Sequence, residues 1–339
     1  MHANFAFLRV LQYPNAIMIW IIFILFIFLV VALDLGVFHR ELRAPTIRDA
    51  VTWTLVWVGL AIFFNLFIYF LYQYDWTWAK VGTVHLTGAQ AATHYFLAWV
   101  LEKSLSVDNI FVIAMIFAYF RVPLELQHRV LFWGILGAVI LRGVMIGAGV
   151  VLINRFDWIT YLFGAFLLYT AIRMLLLRHE TVEPEENSMV KLARRWVPVT
   201  GEFHGKHFFA RIDGRLVATP LFLALLMVES SDVMFAVDSV PAVFAVTRDP
   251  FIIFTSNMFA ILGLRSLYFV LACYMERFRY LKQALVFILV YVGIKMLLVH
   301  HYPIPNLVSL AFIVGILAVG VLASLKGANK DPTPLRPPF

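Results

Sequence analysis

The sequence predicts an all-α polytopic membrane protein, with residues 1–339 forming a single transmembrane domain. The chain is 62% hydrophobic and 14% charged, and its mean hydropathy is +0.87. Soluble domains average about 45–50% apolar and about 25% charged residues. The excess comes from recurring apolar runs of about 20 residues, enough for a helix to cross the hydrocarbon layer. These runs are too long and too continuous for barrel strands, and a helix satisfies its own backbone hydrogen bonds in lipid.

We expect about nine transmembrane helices, each an apolar run bounded by charged or turn-forming residues. The predicted helices cover residues 16–38, 50–72, 94–119, 130–153, 158–177, 219–246, 251–274, 281–299 and 304–325. The first run is too long for a signal peptide and lacks its flanking features. The single cysteine, Cys273, lies in an apolar run, which excludes a disulfide framework and a thiolate metal site.

The basic residues predict the orientation of the chain. Connections after odd-numbered helices carry 18 of the 27 Lys and Arg residues, whereas the opposite connections carry four. Because cytoplasmic connections are enriched in Lys and Arg, the amino terminus is expected outside and the carboxyl terminus in the cytoplasm. This topology, together with contact with anionic lipid, accounts for the net charge of +7 without a nucleic-acid partner.

One long cytoplasmic connection, residues 178–218, is predicted to contain structure of its own. It opens with the acidic stretch HETVEPEEN and then becomes basic. The later stretch FFARIDGRLVAT alternates around Asp213 and Gly214, which indicates a β-hairpin, and a short amphipathic helix is expected before it. The connection is interpreted as an ordered linker; a regulatory or partner-binding role is the alternative.

The chain contains an internal repeat. LLYTAIRMLL at 167–176 matches LVYVGIKMLL at 289–298, and SVDNIFV at 106–112 matches AVDSVPA at 236–242. Helices 3–5 (residues 94–177) therefore repeat as helices 6–8 (residues 219–300). Because three helices are an odd number, the second copy must cross the membrane in the opposite direction. Inverted repeats are typical of secondary transporters, whose sites lie near the membrane midplane between the halves.

The alignment of the two copies also pairs charged residues. The pairs are Glu102 with Asp232, Asp108 with Asp238, Arg142 with Arg265, and Arg173 with Lys295.

Six carboxylates lie within or at the end of the predicted helices. They are Asp34, near the cytoplasmic end of helix 1, and Glu102, Asp108, Glu229, Asp232 and Asp238. Each costs roughly 2.5–3.5 kcal/mol at the bilayer centre, so they must be paired, protonated, hydrated or bound to a cation. The available charge partners are Lys103, Arg142, Arg173, Arg265 and Lys295. A scaffold of ion pairs is the alternative to a site, but buried ion pairs stabilise less than apolar packing.

The donor atoms near these acids indicate which cations could bind. Asn109 and several serines supply further hard oxygen donors, whereas all ten histidines lie in loops or at helix ends. Oxygen ligands suit Mn²⁺, Mg²⁺ or Ca²⁺ better than Zn²⁺, Cu²⁺ or Ni²⁺. Because protons and a cation compete for buried carboxylates, such a site meets the minimum requirement for antiport. The absence of a histidine base within the helices disfavours an enzyme of the triad type, and no cofactor is expected.

Helical geometry limits how the acids can share one ion. At about 100° per residue, Glu102 and Asp108 lie about 120° apart on a straight helix, as do Asp232 and Asp238. Either the helices unwind between the acids, or they stand centrally with the acids facing different neighbours. Pro241 favours an interruption of helix 6 because it cannot donate to the carbonyl of Val237.

The sequence resembles the TerC family of integral membrane proteins, close to its Alx branch. The resemblance rests on ALDLGVF in helix 1, LEKSLSVDNIFV in helix 3, the block from ATPLFLALLMVESSDVMFAVDSVP onward in helices 6 and 7, and VGIKMLL in helix 8. It implies a manganese exporter of the bacterial inner membrane, with Mn²⁺ as cargo and the six acids as site residues. A membrane scaffold, biogenesis or stress-resistance partner without transport activity is the alternative.

Overall fold

In the residues that the computed structural model describes, 14–38, 47–74, 85–176, 187–212, 214–272 and 279–328, the chain forms long helices and a β-hairpin. The elements in chain order are α1 (Pro14–Phe38), α2 (Ile47–Gln73), α3 (Gly88–Tyr119), α4 (Leu124–Arg155), α5 (Ile159–Leu176), α6 (Ser188–Trp196), β1 (Phe209–Ile212), β2 (Arg215–Ala218), α7 (Pro220–Phe244), α8 (Pro250–Ile261), α9 (Leu264–Ala272), α10 (Arg279–Leu298) and α11 (Asn306–Ala328). The chain is therefore an all-α polytopic membrane protein apart from the hairpin.

Helices occur at all nine predicted positions, but they differ in how well they suit a membrane. Within the described ranges, α2, α4, α5, α7, α10 and α11 are long and apolar enough to cross, and α8 with α9 makes a seventh if taken as one bent span. The apolar part of α1 is shorter, at Ile17–Ala32. Helix α3 is long enough, with 32 residues, but carries several charges. Nine membrane crossings therefore stay a prediction.

Helix α3 begins six residues before its predicted start. Thr87 accepts a hydrogen bond from the backbone N–H of Gln90 at 3.3 Å, and the Gln90 side chain accepts one from the N–H of Thr87 at 3.0 Å. This capping box satisfies free donors of the first turn and fixes the start of the helix at Gly88.

The helices that carry the paired acids are continuous. Helix α3 is helical from Glu102 through Asp108, and α7 is helical through Pro241. The prediction that Pro241 interrupts helix 6 is therefore wrong. Helix α3 instead packs against several helices, including α2, α7, α8 and α11. This central position fits the other alternative, in which the acids on one straight helix face different neighbours.

The chain bends between α8 and α9 instead. The two helices meet at 44° across Leu262 and Gly263. Gly263 has a φ of +78°, and a Cβ there would lie 2.6 Å from the Trp57 ring of α2. Glycine is therefore required here for two reasons: the backbone is in the left-handed region, and the indole ring leaves no room for a Cβ.

Helices α5 and α10 make one of the closest contacts of the bundle. A Cβ at Gly164 would lie 3.0 Å from the carbonyl oxygen of Gly293, and a Cβ at Gly293 would lie 3.0 Å from that of Gly164. The two backbones therefore approach as only small residues allow, which is how helices associate in membranes.

The connection between the two groups of helices contains a short helix and a hairpin. Helix α6 packs against α7, and β1 pairs with β2 in antiparallel register, with Ile212 opposite Arg215. Gly214 takes a φ of +76° in the turn. Asp213, Cys273, the acidic stretch before residue 187 and the side chain of Asp34 lie outside the described residues.

Replacement of Gly293 by valine should separate α5 from α10, because the backbone carbonyl of Gly164 cannot retreat as a flexible side chain can. We expect Gly293→Val to lower the free energy of unfolding by about 1–3 kcal/mol, measured by thermal unfolding in detergent. The control is Gly59→Val in α2, where a Cβ meets nothing within 4 Å. Equal losses in the two variants would contradict the close crossing.

Candidate functional site

The centre of the bundle contains an arginine bridging two acids. Arg142 Nη1 lies 2.6 Å from Glu102 Oε2, and Nη2 lies 3.2 Å from Asp232 Oδ1. Nε donates a further hydrogen bond to Asp232 Oδ2 at 3.5 Å. Glu102, Arg142 and Asp232 sit near the middle of α3, α4 and α7, respectively. One guanidinium therefore joins three helices at mid-length.

This arrangement is almost closed to solvent. Arg142 is 1% exposed, Glu102 is fully buried and Asp232 is 13% exposed. Buried charges of this kind are tolerated when they are paired and hydrogen-bonded in good geometry. The fork of Arg142 contacts Asp232 through two nitrogens, which fixes the relative position of α4 and α7.

Asn109 completes what we call the Arg142 cluster (Glu102, Asn109, Arg142 and Asp232). With its amide oriented to satisfy both of its groups, its oxygen accepts from Arg142 Nη2 at 3.3 Å and its nitrogen donates to the Leu105 carbonyl at 3.3 Å. Asn109 is buried. As the next residue in the chain, it points about 100° away from Asp108 around the helix axis. The cluster therefore offers amide and carboxylate oxygens together.

Nearby serines turn their protons toward their own helices. Ser106 donates to the Glu102 carbonyl at 2.7 Å, and Ser231 donates to the Met227 carbonyl at 2.8 Å. Their lone pairs remain able to accept hydrogen bonds or contact a cation.

Glu229 lies one helical turn before Asp232 on α7 and packs directly on the backbone of α4. Its carboxylate fills the space that a Cβ at Gly137 would occupy. A second close contact lies one turn away, where a Cβ at Gly134 would be 3.0 Å from Val228. Glycines on α4 thus let an acid of α7 reach the helix surface.

A small cavity adjoins the cluster. It has a volume of about 40 Å³ and is lined by residues of α3, α4, α7 and α9, including Asn109, Ser231, Asp232 and Arg265. A cavity needs roughly 10–15 Å³ for one water, so this one has room for a few. Its wall is almost entirely apolar, so the polar side chains of the cluster border this space but expose little of their surface to it.

Lys103 points to a different neighbour from Glu102. Its ammonium donates to the carbonyls of Ala260 and Leu262, at 3.1 and 3.2 Å, where the bend interrupts the helical hydrogen bonding. These contacts satisfy acceptors at the end of α8 that have no helical partner. The bend and its cationic partner were not foreseen, although Gly263 was visible in the sequence.

The other predicted residues lie away from the cluster or in separate contacts. Asp238 accepts a hydrogen bond from Thr170 Oγ1 of α5 at 3.0 Å. Lys295 donates to Asn306 Oδ1 at 2.6 Å, and Arg173 is exposed. Asp108 is partly buried, like Asp238. The structure therefore brings Glu102, Asn109, Arg142 and Asp232 together and places Glu229 beside them.

No group of three or more His, Cys, Asp or Glu side chains in the described ranges is arranged to hold a metal ion. Instead, Glu102 and Asp232 pair with Arg142, Asp238 accepts from Thr170, and Glu229 packs on the backbone of α4. Three residues at these contacts were missed by sequence reasoning: Gly137, Thr170 and Asn306. The close spacing of Gly134 and Gly137 was the available signal for a tight approach to α4.

The sequence profile described as "Integral membrane protein TerC family" matches residues 87–331, which include the whole Arg142 cluster. The chain belongs to the TerC family. This membership agrees with the polytopic helical fold.

Full-length relatives support the same assignment within the TerC family. An uncharacterized membrane protein of Myxococcus xanthus is 47% identical over 93% of this chain and 94% of its own length. The protein of Escherichia coli K12 named "Putative membrane-bound redox modulator Alx" is 46% identical over 89% of this chain and 92% of its own. An uncharacterized membrane protein of Rickettsia bellii is 38% identical over 92% and 98%. No solved structure matches the chain.

Removal of Arg142 should leave two uncompensated carboxylates. We expect Arg142→Met to lower the free energy of unfolding by about 3–5 kcal/mol, measured by denaturation in detergent. The control is Arg248→Met, which breaks an exposed pair with Asp157 at 3.7 Å and should cost about 0–1 kcal/mol. A small loss for Arg142→Met would show that the cluster does not hold the helices together.

Proposed function

We propose that the protein is a secondary transporter that exports a divalent metal cation, with Mn²⁺ as the first candidate, from the cytoplasm in exchange for protons. The observation that carries the proposal is the Arg142 cluster, which places carboxylates of α3 and α7 at the middle of the bundle. Ionisable groups buried among apolar membrane helices are expensive and are typical of ion and proton pathways. Apolar packing would serve a scaffold better.

Oxygen atoms of suitable types lie beside the small cavity. Asp232, Asn109 and Ser231 border it, and Glu229 lies one turn from Asp232. Because the cavity wall itself is almost entirely apolar, a cation would bind only if these side chains turned toward it. Carboxylate, amide and hydroxyl oxygens with a few waters suit Mn²⁺ or Mg²⁺. Because Arg142 contacts both oxygens of Asp232, an entering cation must compete with it. Arg142 then acts as a tethered counter-charge that neutralises the acids whenever the cargo leaves.

Proton exchange follows from the same competition. A carboxylate in a low dielectric that loses its cation is stabilised by binding a proton or a fixed positive group. A divalent cation must displace those protons to bind again. Glu102, Glu229 and Asp232 can therefore couple cation release to proton uptake on the outer side of the membrane, and proton release to cation binding on the cytoplasmic side.

The packing order of the helices supports an inverted repeat of α3–α5 and α7–α10. Helix α3 packs on α8 and α9 of the second copy, and α7 packs on α4 of the first, which is the reciprocal contact. The first helices of the copies, α3 and α7, contact each other, as do the last, α5 and α10. The Arg142 cluster lies between the copies, where transporters of this construction bind their cargo.

The direction of transport and the identity of the metal rest on the sequence. The bias of Lys and Arg favours an amino terminus outside and a carboxyl terminus in the cytoplasm. All three relatives described above come from bacteria, in keeping with an inner-membrane location. The preference for Mn²⁺ over Mg²⁺ or Ca²⁺ comes from the family resemblance.

The printed name of the Escherichia coli relative refers to redox modulation. This chain has one cysteine, so it cannot form an internal disulfide couple. A redox effect is therefore expected to be indirect. A membrane scaffold is the second candidate, favoured by the ordered connection, since α6 and β2 both pack against α7.

Replacement of Asp238 should separate transport from scaffolding. Asp238→Asn keeps an oxygen for the Thr170 hydroxyl but removes the charge of an acid that the family resemblance assigns to the cation pathway. We therefore expect Mn²⁺ tolerance to be lost while the protein stays in the membrane. The measurements are growth and cell manganese under Mn²⁺ load. The control is Thr170→Val, which removes the hydrogen bond but leaves the carboxylate, and which should retain tolerance.

Full tolerance in Asp238→Asn, with loss of tolerance after a deletion within 187–218, would favour the scaffold. Purified protein in liposomes provides the direct test of coupling. Transport of Mn²⁺ should accelerate under an opposing proton gradient and slow when a protonophore collapses that gradient. Mn²⁺ movement indifferent to the gradient would contradict proton exchange.

Gly137 provides a test of the role of Glu229. Gly137→Ala should push the carboxylate of Glu229 away from α4, because the new methyl group needs the same space. We expect Mn²⁺ transport in liposomes to fall at least about tenfold, equivalent to about 1.4 kcal/mol. The control is Gly147→Ala on the same helix, where a Cβ meets nothing within 4 Å. Normal transport by Gly137→Ala would remove Glu229 from the pathway.

A further inference from the structure

Helix α6 has an apolar face that nothing in the described part of the chain covers. Met189, Leu192 and Trp196 follow one another at helical spacing and are 42, 58 and 78% exposed. Val190, by contrast, is fully buried, and α6 packs against α7. One side of this nine-residue helix is thus attached to the bundle, while three large apolar side chains point away from it.

Both ends of α6 are fixed, so this exposure does not come from a frayed segment. At its start, Asn187 Oδ1 accepts from the N–H groups of Met189 and Val190 at 2.9 and 3.2 Å, and its amide donates to Ser230 Oγ at 2.9 Å. After its end, Pro198 accepts from the N–H of Ala218 at 2.8 Å. The apolar face is therefore held in one place relative to α7.

The position of α6 places that face near the membrane surface. Thr170 of α5 contacts Asp238 of α7, and the rise of about 1.5 Å per residue puts the end of α5 about 9 Å from this contact. In α7, Ser230 lies about 12 Å from Asp238 in the direction of Pro220. In the predicted topology α5 and α7 run in opposite directions, so Ser230 and the start of α6 lie on the same side of this contact as the end of α5, within about 3 Å of its level.

The charges of α6 indicate what covers the face. Lys191, Arg194 and Arg195 give the helix three positive charges, and its nine residues include no acid. Basic residues beside Trp, Leu and Met are typical of helices that lie in the interface of an anionic bilayer. Each Lys or Arg near such a surface adds about 1 kcal/mol, or about fivefold, to binding.

We infer that α6 docks on the anionic phospholipid headgroups of the leaflet where α5 ends, with Met189, Leu192 and Trp196 inserted at the boundary with the acyl chains. In the proposed orientation this is the cytoplasmic leaflet. The docking does not depend on transport activity. Through Asn187 and Ser230 it joins the lipid surface to the helix that carries Glu229 and Asp232.

The test uses the full chain in nanodiscs with a fluorescent label. In a Cys273→Ser background, an environment-sensitive dye is attached at Leu192→Cys, and at Leu216→Cys on the hairpin (55% exposed) as the control. With phosphatidylglycerol present, the dye at position 192 should emit at shorter wavelength and be quenched by lipids spin-labelled on the acyl chain. The dye at position 216 should not.

A charge variant tests the headgroup contact. Lys191→Gln, Arg194→Gln and Arg195→Gln together should weaken docking about 100-fold, so that quenching no longer responds to phosphatidylglycerol. High salt should weaken docking of the unmodified helix in the same direction. Quenching at position 192 no greater than at 216 would overturn the inference. A blue shift without quenching, dependent on protein concentration, would assign the face to a second copy and also overturn it.

Discussion

The ion pairs of Arg142 are the interaction on which the arrangement of the bundle depends. One guanidinium binds Glu102 of α3 and Asp232 of α7 from its place on α4. Each helix presents a charge that would be too costly to bury without the other two, since a lone ion buried among apolar side chains has no water to solvate it. The three helices can therefore pack around polar groups only in the register that brings the charges together. That requirement constrains the glycines of α4, which let Glu229 approach its backbone.

Much of the helical arrangement could be predicted from the sequence because apolar runs of membrane length have few alternatives. Helices lie at all nine predicted positions, and the hairpin forms around Gly214. The charges that meet in the centre were also visible, since carboxylates in apolar runs demand partners. Arg142 was among the candidates for that role because it was one of five basic residues within the predicted helices.

The remainder could not be predicted because it depends on tertiary contacts. Pro241 was expected to interrupt a helix, yet α7 continues through it, since one missing donor does not outweigh the packing on both sides. The bend occurs at Gly263, where the left-handed backbone and the Trp57 ring leave room for glycine alone. Which carboxylate faces which neighbour likewise depends on the rotation of each helix, and periodicity in a uniformly apolar segment does not specify rotation.

Glu102 and Lys103 are adjacent in sequence, and this adjacency limits how α3 can move. Glu102 is bound by Arg142 on one side, and Lys103 by the carbonyls of Ala260 and Leu262 on another. Because the two side chains are neighbours on α3, a rotation of the helix about its axis moves both of them away from their partners. The two contacts together thus hold α3 against rotation. We therefore expect α3 to rotate only in a single step that replaces both contacts together.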